Sequence, residues 1–200
     1  MKHSPVIVGV DEAGRGALAG PVVAGACIDI PRLKKNPLIG DSKQMTPAER
    51  EEAFVWISAH CTTGFGISDA AFIDAHGILA ATERAMQQAV AMIAAIARPD
   101  FLIVDGRDKF WFDYPHTSII DGDALEPAIG AASIVAKVTR DRLMIEADKT
   151  FPGFGFAQHK AYGTQEHFAA IERLGPCVIH RKTFLKRLPT AVRNMSFVHE

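Results

Sequence analysis

The run Val6-Ile7-Val8-Gly9-Val10 ends in two adjacent carboxylates, Asp11-Glu12, followed closely by Gly14-Arg15-Gly16. A short run of mostly β-branched residues reads as a buried strand. Carboxylates at the end of such a strand are costly unless their charge is compensated. Hard divalent cations are the usual compensators, because they prefer oxygen ligands and keep part of their water. The two glycines open backbone conformations closed to other residues and let another molecule's backbone come close. Arg15 between them offers a fork of donors suited to phosphate. Taken alone, the segment fits equally well a turn after an edge strand with two solvated acids.

At 200 residues and 48% hydrophobic content, the chain is long enough for one globular domain with a substantial core, expected to span 1–200. The formal net charge of -1 excludes a protein that coats nucleic acid through bulk electrostatics, but leaves room for a local basic groove. Cys27, Cys61 and Cys177 are odd in number, widely spaced and without a CxxC pattern. Reduced thiols in a cytoplasmic protein are the simplest account. Met1-Lys2-His3-Ser4-Pro5 leads straight into the first strand, so no signal peptide is expected. The most apolar helical stretch, 89–97, is too short to cross a bilayer. The expectation is a soluble, cytoplasmic monomer with no membrane partner.

A second strand is expected over 22–28, antiparallel to the first because the loop between them is too short for a βαβ crossover. Thr46-Pro47-Ala48-Glu49 carries a Thr cap, a proline at the first position and a capping-box Glu, opening a helix to about 60. A strand over 63–67 and a helix over 78–97 follow, the helix rich in Ala, Met, Gln and Glu and closed by Pro99. Residues 101–104 repeat the opening theme, an apolar strand that delivers Asp105 and Gly106. A short strand over 117–120 leads into Asp121-Gly122-Asp123, and a long alanine-bearing helix covers about 127–148. After the glycine-aromatic break at 151–156, a last helix spans 165–174. Three early strands and then alternating helices and strands predict an α/β fold: a mixed sheet flanked by helices, with a small helical C-terminal part from about 150.

Acids therefore sit at three strand ends: Asp11 and Glu12, Asp105, and Asp121 or Asp123. Neighbouring strand ends can meet in space, and four carboxylates there would repel one another. Two Mg²⁺ or Mn²⁺ ions roughly 3.5 to 4 Å apart would relieve that repulsion and create a phosphoryl-transfer site. Adjacent strand residues face opposite sides of a sheet, so Asp11 and Glu12 are expected to share a site only if the regular strand ends there. Asp108 and Asp113 lack such a context and read as solvated charge.

The block Asp11-Glu12-Ala13-Gly14-Arg15-Gly16-Ala17-Leu18-Ala19-Gly20-Pro21-Val22 resembles the opening signature of ribonuclease HII, the type 2 ribonuclease H family. Asp41-Ser42-Lys43, Val104-Asp105-Gly106, and Gly122-Asp123 with residues 131–142 resemble its next motifs. Tyr162-Gly163-Thr164 and His180-Arg181 resemble its last ones, so the likeness spans nearly the whole chain in order. The resemblance implies an RNase H-like fold and endonucleolytic cleavage of RNA paired with or joined to DNA, including cleavage 5′ to single ribonucleotides embedded in duplex DNA. It implies that Asp11, Glu12, Asp105 and Asp123 are the catalytic, metal-binding quartet for Mn²⁺ or Mg²⁺. It also implies that Gly14, Arg15, Gly16 and Tyr162 recognise the ribonucleotide, whose 2′-hydroxyl both donates and accepts hydrogen bonds. Without the resemblance, Tyr162 would read as an ordinary half-buried tyrosine.

Lys43, Lys137 and Arg140 lie in or beside these motifs and Lys160 precedes Tyr162, positions suited to holding phosphates of the hybrid. For Lys43 and Lys137 the alternative is a solvated surface charge. Ser133 either bonds a phosphate or caps local backbone. Arg181, Lys182, Lys186, Arg187 and Arg193 either extend a groove or form a solvated face. His159, His167 and His180 have no partner at zinc spacing. A non-catalytic hybrid-binding module on the same fold would be expected to lose acids from the quartet, and all four are present. A related ribonuclease HIII would lack the Gly-Arg-Gly motif.

Three residues depart from the family's pattern. Gly77 stands where asparagine is common, Ala161 stands where glycine precedes the tyrosine, and Asp121 replaces a lysine before Gly122-Asp123. An added acid at 121 is expected to alter metal affinity or the preference between Mg²⁺ and Mn²⁺. Titrating both metals into Asp121→Lys and the parent reads this directly, and superimposable curves would sink it.

Overall fold

The computed structural model describes residues 4–39 and 44–186. The opening apolar run forms β1, Ile7–Ala13, and the glycine-rich loop returns the chain antiparallel as β2, Val22–Ile28. α1, Pro47–His60, starts with the anticipated box: the Thr46 hydroxyl accepts from the Glu49 amide, and the Glu49 carboxylate accepts from the Thr46 amide at 2.7 Å. β3, Thr63–Ser68, adds antiparallel to β2. α2, Ala70–Ala94, leads to β4, Phe101–Asp105, which pairs parallel with β1, and β5, His116–Ile119, pairs parallel with β4. The mixed sheet has the order β3-β2-β1-β4-β5. α3, Gly122–Leu125, and α4, Pro127–Thr150, follow, then α5, Phe156–His159, α6, Gln165–Leu174, and α7, Lys182–Leu185.

Strand alternation sorts the core onto the two faces of the sheet. Val8, Val10, Ala24, Ala26, Leu102 and Val104 pack against Ala85, Met86, Ala89 and Ile93 of α2. On the other face Cys27 and Ile103 meet Ile134, Val135 and Val138 of α4, with Ala53 and Ile57 of α1 behind them. α4 lies almost on the sheet backbone. A Cβ at Gly9 would stand 2.2 Å from the Ala128 carbonyl carbon, and one at Gly25 would stand 2.2 Å from the Ala132 oxygen. A third cluster joins Leu18 and Ala19 to Met144, Phe156, Ile171 and Leu185, so the C-terminal helices clamp the loop between β1 and β2.

Two sequence expectations are corrected. The second helix begins at Ala70, capped by the Asp69 side chain, rather than at 78, and is interrupted at Gly77. Gly77 has φ 83° and ψ 163°, a region that essentially only glycine occupies, so glycine at this position is what the local backbone requires. The break hides the preceding turns from a search for helical periodicity. The regular strand also does not end at the carboxylates: Asp11, Glu12 and Ala13 pair in register with Gly25, Ala24 and Val23. What ends is the other side, where pairing with β4 stops at Val10 and Val104. Both carboxylates therefore stand beside an open gap at the C-terminal end of β4, although they leave β1 on opposite faces.

Gly25→Ala is expected to destabilise the fold by about 1–3 kcal/mol, because the added methyl meets a helix backbone that cannot turn aside. Thermal unfolding would show this as a midpoint several degrees lower, whereas an unchanged midpoint would mean that α4 can lift from the sheet.

Candidate active site

The end of β1, the end of β4 and one face of α4 enclose a cavity of about 410 Å³. Asp11, Glu12, Asp105 and Gly14 line it, with Ser133 and Lys137 from α4, Arg50 from α1 and Tyr162 from the loop after α5. Asp11 is buried, and its Oδ1 accepts from the Glu12 amide at 2.6 Å. Burial pushes its carboxyl well above the usual range, and the charges of Glu12 and Asp105 add to this against a hydrogen bond from Ser133. Glu12 is pushed up by burial, with Arg15 opposing and Asp105 and Asp108 adding. Asp105 is fixed from behind, where its Oδ1 accepts from the Gly122 amide at 2.7 Å.

The other expected residues divide clearly. Asp123 is buried on α3, next in sequence to the Gly122 whose amide Asp105 accepts, and is not among the cavity-lining residues. Among the described residues, no three His, Cys, Asp or Glu side chains already stand together as a metal cluster. The donor set nevertheless fits a hard cation. It is all carboxylate oxygen, and its crowded negative charge is eased in this structure by raised proton affinity, which a divalent ion would replace. Arg15 is held between acids, at 3.3 Å from Glu12 and 2.7 Å from Asp108, so Asp108 is not the isolated solvated charge expected of it. Ser133 faces Asp11 and hydrogen-bonds to its carboxyl. Lys137 pairs with Asp141 at 2.7 Å and lies 5.9 Å from the Tyr162 ring centroid. Lys43, with the block around it, and Arg187 and Arg193 lie outside the described residues.

Arg140 is a correction. Its side chain is 0% exposed, and its guanidinium donates to the carbonyls of Pro21, Lys160 and Ala19, so it binds loops together instead of holding phosphate. Arg181 belongs neither to a groove nor to a solvated face. It too is 0% exposed and donates to the carbonyls of Gly20, Arg15 and Gly14 at 2.8–3.0 Å. Sequence gave no warning of either role, because a buried arginine serving carbonyls has no pattern of its own. Arg50 was missed for a similar reason: it is one polar residue on a polar helix turn.

The two glycines of Gly14-Arg15-Gly16 differ. Gly14 has φ 91°, and an added Cβ would lie 1.9 Å from the Arg140 guanidinium, so the fold itself demands glycine. Gly16 is exposed, its φ is ordinary, and an added Cβ would meet nothing within 4 Å. Nothing inside the molecule requires glycine there. Of the departures, Ala161 is buried with φ 65° and Asp121 has φ 55°. Ala161 therefore holds a left-handed conformation that glycine would take more cheaply, while aspartate tolerates it.

The sheet and its flanking helices place the chain among RNase H-like proteins. The crystal structure of ribonuclease H2 from Pyrococcus horikoshii OT3 superposes with a TM-score of 0.71 at 24% identity, over 94% of this chain and 95% of that one. That of Bst-RNase HIII in complex with Mn²⁺ gives 0.65 at 19% identity, over 86% and 63%. At the level of sequence, the Ribonuclease HII family model matches residues 8–188. Ribonuclease HII of Geotalea uraniireducens (strain Rf4) is 52% identical over 179 residues, which is 89% of this chain and 82% of the relative. The chain belongs to the ribonuclease HII family and is a ribonuclease H enzyme, an endonuclease. Among the described residues, no helix is long and apolar enough to cross a membrane.

The raised carboxyls give a pH dependence with a definite sign. Folded Asp11 keeps a proton that the unfolded chain releases near pH 4, so its stabilising contribution is full below that pH and is lost as pH rises through the raised value. With chelator at pH 8, Asp11→Asn is expected to unfold at a higher temperature than the parent. Added Mg²⁺ or Mn²⁺ should raise the parent's midpoint more than the variant's. Equal midpoints in chelator would contradict the electrostatic picture of the cavity.

Proposed function

We propose that this ribonuclease hydrolyses RNA in RNA/DNA hybrids and cuts 5′ to single ribonucleotides in duplex DNA, leaving 3′-hydroxyl and 5′-phosphate ends. The observation that carries this reading is the meeting of Asp11, Glu12 and Asp105 in one cavity with the Gly14 loop and Tyr162 on its wall. Asp11, Glu12, Asp105 and Asp123 would hold two divalent cations, Mg²⁺ or Mn²⁺. Bound there, the ions supply Lewis-acid polarisation of the scissile phosphate and activation of water. Gly16 leaves open the space in which a nucleotide sugar can approach the loop backbone. Arg181 holds the Gly14 and Arg15 carbonyls inward, and the amides of Ala17, Leu18 and Gly20 are spent on internal carbonyls, so the backbone around Arg15 and Gly16 is the part of the loop that would meet a 2′-hydroxyl or phosphate. Arg15 would exchange its contacts with Glu12 and Asp108 for substrate as cations take over the carboxylates. The Tyr162 ring, 37% exposed at the cavity wall, presents a flat surface to the sugar and a hydroxyl to its edge. Lys137, Arg50 and Lys43 would hold flanking phosphates, setting register without reading sequence. The enzyme is proposed to act as a cytoplasmic monomer.

The test is a labelled DNA duplex with one ribonucleotide, incubated with Mg²⁺ or Mn²⁺ beside an RNA/DNA hybrid and an all-DNA duplex. The expected product is a single cut 5′ to the ribonucleotide, absent from all-DNA and reduced at least about a thousandfold in Asp11→Asn. Binding of the hybrid without cleavage by folded protein in either metal would instead identify a non-catalytic module.

A further inference from the structure

The turn that presents Tyr162 is built against its own backbone preferences. Lys160 and Ala161, both non-glycine, have φ 51° and 65°, so the two residues before the tyrosine are left-handed. Such residues persist only where their surroundings over-determine them. Three histidines surround this turn. His159 stacks on His167 with ring centroids 4.6 Å apart, and His167 meets His180 with their Nε2 atoms 3.2 Å apart. His167 and His180 are at most 1% exposed.

Their hydrogen bonds determine which nitrogen carries each proton. The Cys177 amide, an obligatory donor, points at His180 Nδ1 at 3.0 Å, while the Cys177 carbonyl, 3.3 Å from the same nitrogen, already accepts from the His180 amide at 3.0 Å, so Nδ1 accepts and the proton sits on Nε2. His180 Nε2–H then donates to His167 Nε2, which leaves the His167 proton on Nδ1. That Nδ1–H lies 3.0 Å from the Tyr162 carbonyl oxygen and donates to it. On the other side, the Ala161 amide donates to His159 Nδ1 at 3.1 Å, while His159 Nε2 donates to the Phe154 carbonyl at 2.9 Å. A second proton on His167 would face the His180 Nε2–H, and one on His159 would face the Ala161 amide.

We infer that His180, His167 and His159 form a relay of neutral imidazoles that holds the Tyr162 turn, making His167 a positioning residue that acts on the ribonucleotide site through Tyr162. The inference rests on the reading of Tyr162 as the residue that meets the sugar. Burial supports the neutral state, pulling His167 down to about 4 and, with His167 beside it, His180 down to about 3. His159 and Cys177 are the other titratable groups that the His167–His180 pair touches.

Two measurements test it. Two-bond ¹⁵N–¹H spectra of the intact protein at pH 7 should show His167 in the Nδ1–H form and His159 and His180 in the Nε2–H form. His167 found protonated or in the Nε2–H form would overturn the relay whatever the activity. In cleavage of the single-ribonucleotide duplex, His167→Leu should lower kcat/KM about tenfold to a hundredfold. In a Tyr162→Ala background it should change kcat/KM by less than about twofold. His167→Asn, whose amide can stand where Nδ1 stood, should keep most of the parent's rate and carries the test if the leucine variant does not fold. Equal losses for His167→Leu with and without Tyr162 would leave Tyr162 in its role and remove the relay. Full activity of Tyr162→Ala alone would overturn both readings.

Discussion

Two guanidinium groups shielded from water hold this structure's working parts together. Arg140 comes from α4 and Arg181 from the C-terminal segment, yet both spend their donors on carbonyls of the loop joining β1 to β2. Burying a cation is expensive, and repulsion between the two adds to the cost, so burial and then Arg140 pull Arg181 below its usual range. Several carbonyl dipoles aimed at each planar fork offset that cost. The return is directional. The carbonyls of Gly14, Arg15, Ala19, Gly20 and Pro21 are committed inward, and the loop's position is tied at once to the sheet, the central helix and the C-terminal cluster. Removing either arginine would strand several buried carbonyls together.

The same economy of space governs the sheet. Glycines on β1 and β2 let α4 come so near that Ser133, one side of that helix, reaches the Asp11 carboxylate. A bulkier strand would lift the helix and open the cavity. The alanines of α4 and the glycines of the strands are two halves of one packing solution, and the acid cluster inherits its precision from it.

Much of this was legible in sequence. β2, α1 and α6 appear over the expected residues, because Thr46-Pro47-Ala48-Glu49 and the polar flanks of 165–174 are local signals with local causes. The acids at three strand ends were visible for the same reason. What could not be read depends on distant partners. Arg140 and Arg181 look like surface cations until the loop they serve is seen to lie against them. Asp108 looks solvated until Arg15 reaches it. The four-residue helices α3, α5 and α7 are too short to carry a period, and the turns before Gly77 are masked by the break that follows them. The left-handed Ala161 was detectable only as an unusual residue, not as a strained one.

The parallel pairing of β1 with β4 has a kinetic side. β1 and β2 close through a short loop and β3 joins them after α1, whereas Val8 must find Leu102 across 94 positions of chain. Long-range closure of that kind comes late, since its loop entropy must be met before its contacts reward it. Asp11 and Glu12 thus ride on the part that assembles early, and Asp105 arrives with the part that assembles last. The repulsion that Asp105 adds to the Asp11–Glu12 pair enters only at that closing step. Cations held between them would act on an arrangement completed at that last step, and would therefore slow unfolding more than they hasten folding.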